Sequence, residues 1–131
     1  MFLNILNNDE KKAFLELAHY TARVDDDFSE DEELMIQTYC MEMEIEDINY
    51  DEDSFDIKST LSKFTTLQSK KIALLEIMAL IYTDGLKDEE QEIIDKMVVS
   101  FNFNQELAKE YAQWTQSILH LYQKGKDFIG L

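Results

Sequence analysis

The sequence predicts an all-α fold: a single-domain helical bundle of six to seven helices with an internal duplication. Three observations carry this expectation. The 131 residues hold no proline and three glycines, Gly85, Gly125 and Gly130. That is too little turn chemistry for an all-β protein. Apolar residues recur at steps of three and four along most of the chain, the period of helices with one face inward. Finally, residues 11–34 align without a gap on residues 70–93, at an offset of 59. Six of the 24 pairs are identical: Lys11/Lys70, Lys12/Lys71, Leu15/Leu74, Asp25/Asp84, Glu30/Glu89 and Glu33/Glu92. Each copy reads as an apolar helix, an acidic turn and a second helix.

The elements follow in order. Residues 2–7 provide at most a short turn. Asn7 with Glu10 forms a capping box that starts the first long helix. Its stripe is Phe14, Leu17, Ala18, Thr21, Ala22 and Val24. The run Asp25-Asp26-Asp27 stops it, because adjacent like charges on short backbone-binding side chains disfavour continuation. Ser29 and Glu32 form the next box, opening a helix over residues 30–43 that carries Leu34, Met35, Thr38, Tyr39 and Met41. Residues 44–54 connect the halves, pinned by Ile45, Ile48 and Tyr50. A shorter helix is expected over 55–67, with Ile57, Leu61 and Phe64 on one face. Residues 70–83 are apolar nearly all round, which places that helix in the centre of the bundle. Asp88 and Gln91 read as the cap of a helix over 89–101. Asn104 caps the last helix, whose seam is Leu107, Tyr111, Trp114, Ile118 and Leu121, with Gly125 as its stop. Repeat 1 thus spans about 8–45, repeat 2 about 68–104, and the C-terminal helix about 105–124, all within one domain, 1–131.

Charge is distributed unevenly. Residues 25–56 hold 15 acids and no Lys or Arg, while the remainder nets −1 of the total −16. Nucleic-acid binding relies on Lys and Arg displacing condensed counterions, so no nucleic-acid partner is expected. Electrostatics favours cations or a basic protein partner. No apolar run reaches the ~18–20 residues of a membrane span. The absence of a secretory leader pattern and the single Cys40 point to a reducing cytoplasm.

Catalytic chemistry is not indicated. His19 and His120 are isolated and read as buried or interfacial side chains, and Cys40 reads as a buried, inert thiol. No nucleophile–base pair and no Gly-rich phosphate loop can be nominated, so an enzyme is not expected. The acidic turns are the candidate site. Crowded carboxylates need a proton or a cation, and hard oxygen-binding ions such as Ca²⁺ or Mg²⁺ match them. An EF-hand does not fit, since Glu30 stands at loop position 6 and Ile36 at position 12 counted from Asp25. Helix capping accounts for Ser29, Glu32, Asp88 and Gln91. It leaves Asp25 and Asp84 unexplained, with Glu33 and Glu92 behind them.

The stretch Ile77-Met78-Ala79-Leu80-Ile81-Tyr82-Thr83-Asp84-Gly85-Leu86-Lys87-Asp88-Glu89-Glu90 resembles the TerB-like family, named for a bacterial tellurite-resistance protein. Residues 22–32 look like a variant copy of it. The resemblance covers about residues 8–124. It implies an all-helical fold, a cytoplasmic stress-linked or scaffolding role, and an acidic surface that binds cations or partners. Carried across residue by residue, the characteristic Asp falls on Asp25 and Asp84, and the acid of the following helix on Glu32. Gln91 stands where the second copy should have an acid, with Glu33 and Glu92 as alternative ligands. Lys87 replaces the apolar turn residue kept as Phe28, and Asp26 replaces the glycine kept as Gly85. Two functional expectations result: a non-enzymatic module holding a divalent cation at Asp25, Glu32, Glu33, Asp84 and Glu92, or an acidic protein-interaction module docking a basic partner or mimicking nucleic-acid charge.

Overall fold

The computed structural model describes residues 1–131. It is an all-helical bundle of six α-helices preceded by a 3₁₀ turn, Leu3–Ile5. The helices are α1 (Asn8–Arg23), α2 (Glu30–Met43), α3 (Ile57–Leu61), α4 (Leu67–Thr83), α5 (Asp88–Ser100) and α6 (Gln105–Phe128). No helix is long and apolar enough to cross a membrane.

The first two helices start as their sequence dictates. Asn7 accepts from Glu10 N–H at 2.8 Å while Glu10 accepts from Asn7 N–H at 2.9 Å. Ser29 and Glu32 repeat the reciprocal pair, both bonds at 3.1 Å. Each box satisfies donors that a helix N-terminus would otherwise leave open. α4 begins earlier than its apolar pattern implies, because Thr66 and Ser69 form a third box at 3.0 and 3.1 Å.

α4 is the hub, packing against α1, α2, α5, α6 and the 3₁₀ turn. Ala73, Leu74, Ile77, Leu80 and Ile81 are fully buried on it, as expected for a helix apolar all round. The core is one cluster, joined from the first repeat by Phe14, Leu15, Leu17, Ile36 and Met43. Phe14 meets Tyr39 edge-on at 5.2 Å.

Several expectations are corrected. α3 is only Ile57–Leu61, not 55–67: Asp56 caps it at Ser59 N–H, and the Thr66 box starts α4 in what remained. On α2 the inward residues are Glu32, Ile36, Tyr39 and Met43, whereas Leu34 and Met41 face solvent. On α6, Ala108 and Thr115 are buried while Trp114 and Leu121 are exposed, so the seam is rotated. Gly125 lies inside α6; the left-handed glycine beyond the helix end is Gly130, at φ 77°. His120 is exposed, and Cys40 is half-buried rather than buried.

The two halves correspond in their backbone, with one change of register. Before the turn the offset is 59: Ala13/Ile72, Leu15/Leu74, Ala18/Ile77 and Ala22/Ile81 are all buried pairs. The left-handed turn residues Asp26 (φ 60°) and Gly85 (φ 85°) keep that offset. After the turn it is 58. Glu32, Ile36, Tyr39 and Met43 are buried as are Glu90, Ile94, Met97 and Phe101. Both second helices end in a left-handed residue, Glu44 (φ 55°) and Asn102 (φ 58°). In both, the next residue closes a back-bond, Ile45 N–H to Cys40 O and Phe103 N–H to Val98 O, as in a Schellman-type stop. The second turn is therefore one residue shorter.

The left-handed position gives a test. A Cβ at Gly85 would meet nothing within 4 Å, so only backbone strain opposes a side chain there. Gly85→Ala is expected to lower stability by about 1 kcal/mol, and Asp26→Gly to raise it by up to about 1 kcal/mol. Urea unfolding would show opposite shifts in midpoint; shifts of the same sign would contradict the equivalence of the two turns.

Candidate functional site

The one-residue shortening decides which side chains meet. Glu90, not Gln91, occupies the third position of α5, and Lys87, not Asp88, is its N-cap. This corrects the Asp88/Gln91 box. Glu90 accepts from Lys87 N–H at 3.2 Å. The lysine side chain has no acceptor, so only that half of a box exists. Glu90 thus stands where Glu32 stands in the first copy, and Leu86 where Phe28 stands. The apparent lack of an acid at Gln91 disappears once the register changes.

The two turns touch. Lys87 Nζ lies 2.6 Å from Asp25 Oδ2 and 3.6 Å from Asp27 Oδ2. Ser29 Oγ donates to Asp84 Oδ2 at 2.7 Å. Each repeat therefore supplies a polar group to the other's characteristic Asp. Asp27 N–H closes a local turn onto Asp25 Oδ1 at 3.1 Å. Of the five expected ligand residues, Asp25, Glu32 and Asp84 belong to this cluster. Glu33 and Glu92 are exposed on their helices and make none of its bonds. Glu90 joins instead, and reading the cap one residue earlier would have found it. As the side chains stand, no group of three or more His, Cys, Asp or Glu is arranged to hold a metal ion. The cation among these carboxylates is the Lys87 ammonium.

Electrostatics follows from this crowding. Burial pushes Glu90 up, the Lys87 N–H bond opposes it, and the charges of Asp25 and Glu32 push it further, to about 7. Burial likewise raises Glu32; its bonds from Ser29 oppose this, while Asp84 and Asp25 add to it. At Asp25 burial also works upward, but the Lys87 hydrogen bond and Asp27 N–H outweigh it and hold the carboxyl below its ordinary value. The hydrogen bond to Asp25 raises Lys87 well above the usual lysine range. Glu32 and Glu90 are 3% exposed, so solvent relieves little of the repulsion.

A second polar assembly, missed in the sequence, abuts the first turn. Arg23 donates to His19 Nδ1 at 2.7 Å and to His19 O at 3.1 Å. A guanidinium only donates, so Nδ1 accepts and the hydrogen sits on Nε2. That nitrogen faces Asp47 Oδ1 at 2.7 Å. Arg23 also lies 4.3 Å from the Phe28 ring and 5.2 Å from the Tyr50 ring. The connection between repeats is thereby tied to α1 and to the first acidic turn. His19 and Asp47 are 28 residues apart, beyond any local pattern.

No protein-family model matches the chain, and no curated protein or solved structure gives a significant match.

Glu90 provides a pH test. Its folded pKa lies above its unfolded value of 4.5, so between about pH 4.5 and 7 the folded state binds the extra proton. Stability then falls as pH rises through that window, by up to ~3 kcal/mol from this group. Glu90→Gln keeps the cap acceptor without the charge. It is expected to raise the melting temperature at pH 8 and change it little at pH 4.5. Circular dichroism melts at both values check this, and equal effects at both would contradict it.

Proposed function

We propose that the chain is a non-enzymatic, TerB-like binding module whose paired acidic turns exchange the Lys87 ammonium for a divalent cation such as Ca²⁺ or Mg²⁺. The observation that carries this reading is the meeting of the two turns, through Lys87–Asp25 and Ser29–Asp84. It brings Asp25, Glu32, Asp84 and Glu90 into one polar cluster in which the flexible Lys87 ammonium pairs with Asp25 and Asp27. A lysine is a displaceable point charge on a four-carbon stem. Withdrawing it would leave hard oxygen donors with uncompensated charge, the environment that suits these ions. Asp25 and Asp84, supported by Glu32 and Glu90, would hold the ion. The altered register also supports the TerB-like resemblance, because Leu86 and Glu90 supply the apolar turn residue and the acid that Lys87 and Gln91 lacked. A link to stress or tellurite resistance remains what that resemblance implies.

A second reading has its own support. Twelve of the 15 acids in residues 25–56 are exposed, in a segment without Lys or Arg. Such a surface suits a basic protein, with an association that weakens as salt screens it.

The two readings separate experimentally. At ten times its Kd a divalent ion stabilises by about 1.4 kcal/mol, or roughly 5 °C in a domain of this size. Ca²⁺ or Mg²⁺ is expected to raise the melting temperature by about that much beyond NaCl of matched ionic strength. Asp84→Asn should remove the excess and Lys87→Met should enlarge it. A shift equal to that of NaCl in all three proteins would contradict the cation reading. For the second reading, a lysine-rich peptide should bind at low salt and be released by about 0.5 M NaCl; no binding at low salt would sink it.

A further inference from the structure

We propose that the cleft between the connecting segment and α1/α3 is a receptor for a lysine or arginine side chain of a basic protein. It rests on the interaction reading above only in requiring a cationic partner, and it lies apart from the paired turns. Carboxylates alone would make a negative surface and nothing more. Here they surround a concavity of about 300 Å³ with aromatic walls, within the usual size range of small-ligand sites.

The walls are Tyr50 and Phe55, with ring centroids 5.9 Å apart. Phe55 is backed by Tyr20, stacked at 4.4 Å, and Tyr50 is backed by His19, stacked at 5.6 Å. Each wall is thus backed by a second ring. The face of an aromatic ring attracts a cation, and the Tyr50 ring already takes the Arg23 guanidinium at 5.2 Å. The chain thus contains an internal example of the contact proposed for an incoming side chain.

Three carboxylates complete the cleft: Glu16, Asp51 and Asp56. Each is oriented through one oxygen. Glu16 Oε2 accepts from the buried Thr60 hydroxyl at 3.0 Å. Asp51 Oδ1 accepts from Asp53 N–H at 3.1 Å, and Asp56 Oδ2 from Ser59 N–H at 2.9 Å. The second oxygen of each has no hydrogen-bond partner within the chain. Lys63 also lines the cleft but forms no ion pair with these acids. Aromatic faces for an alkyl stem and carboxylate oxygens for its charged head match an alkylammonium or guanidinium. The acidic surface running from the cleft through residues 44–53 would accompany the rest of a basic chain, which favours a protein source over a free amine.

The test is an NMR titration of the ¹⁵N-labelled chain with Nα-acetyl-lysine methylamide. The norleucine analogue and NaCl serve as the neutral and charge-matched controls. Saturable shifts at Tyr50, Phe55 and Thr60 are expected with the lysine compound alone. Tyr50→Leu should weaken binding severalfold, and so should the Asp51→Asn/Asp56→Asn pair. If Tyr50→Leu unsettles the connecting segment, the Asp-to-Asn pair decides, because both side chains are exposed. A peptide of three lysines spaced by glycine should bind through the same residues more tightly than spermidine. Several results would overturn the proposal: shifts matched by NaCl or norleucine, shifts centred on Asp25 and Asp84, or spermidine binding tighter than the peptide. Shifts at the acidic turns without the cleft would leave the cation reading standing while removing this one.

Discussion

Lys87 reaches across the repeat boundary to Asp25 at 2.6 Å, and much of the local chemistry depends on that contact. Two acidic turns from the two halves of the chain are forced together by helix packing. Unrelieved, the buried Glu32 and Glu90, the half-buried Asp25 and the exposed Asp84 would repel one another. Three devices relieve them: the ammonium between Asp25 and Asp27, the Ser29 hydroxyl on Asp84, and the raised proton affinity of Glu90 and Glu32. These are the three ways a buried carboxylate becomes tolerable: a counter-charge, a hydrogen bond or a proton.

The packing that creates this tension follows from α4. A helix apolar all round must be surrounded, and α1, α2, α5 and α6 surround it. α1 and α4 are the equivalent first helices of the two repeats, and they lie against each other. The turns that end them are therefore neighbours by construction. The capping residues Glu32 and Glu90 are carried to the same place, each one turn into the following helix. Capping and charge clustering are thus one arrangement. The acids that close the helix N-termini are also the ones that cannot avoid the characteristic Asp residues.

Much of this is legible in the sequence. The Asn7/Glu10 and Ser29/Glu32 boxes, the central α4 and the ends of α1 and α2 all follow from residue type and spacing. What escaped has physical reasons. A gapless offset of 59 put the second cap at Asp88/Gln91, because Asp and Gln are better capping residues than Lys87 and Glu90; tertiary packing fixed the shorter turn instead. Glu33 and Glu92 share an alignment column but make no bond in the paired turns, because the shorter second turn sets Glu90 opposite Glu32. The α6 seam was misjudged because Trp114 and Leu121 match the helical period equally well on a face that the bundle leaves exposed. The Arg23–His19–Asp47 chain and the His19–Tyr50 and Tyr20–Phe55 stacks join segments distant in sequence, which periodicity cannot connect.

The chain thus concentrates negative charge in its first half, yet differentiates it. The paired turns contain their own lysine, whereas the connecting segment, residues 44–54, has no Lys or Arg of its own. The divalent-cation reading rests on the claim that the two acidic turns form one electrostatic unit. The most direct measurement is a carboxyl ¹³C NMR titration of Glu90 in the native protein and in Asp25→Asn. The account predicts a Glu90 midpoint near 7 that falls when the Asp25 charge is removed from the other repeat. A midpoint near 4.5, unchanged by Asp25→Asn, would contradict it.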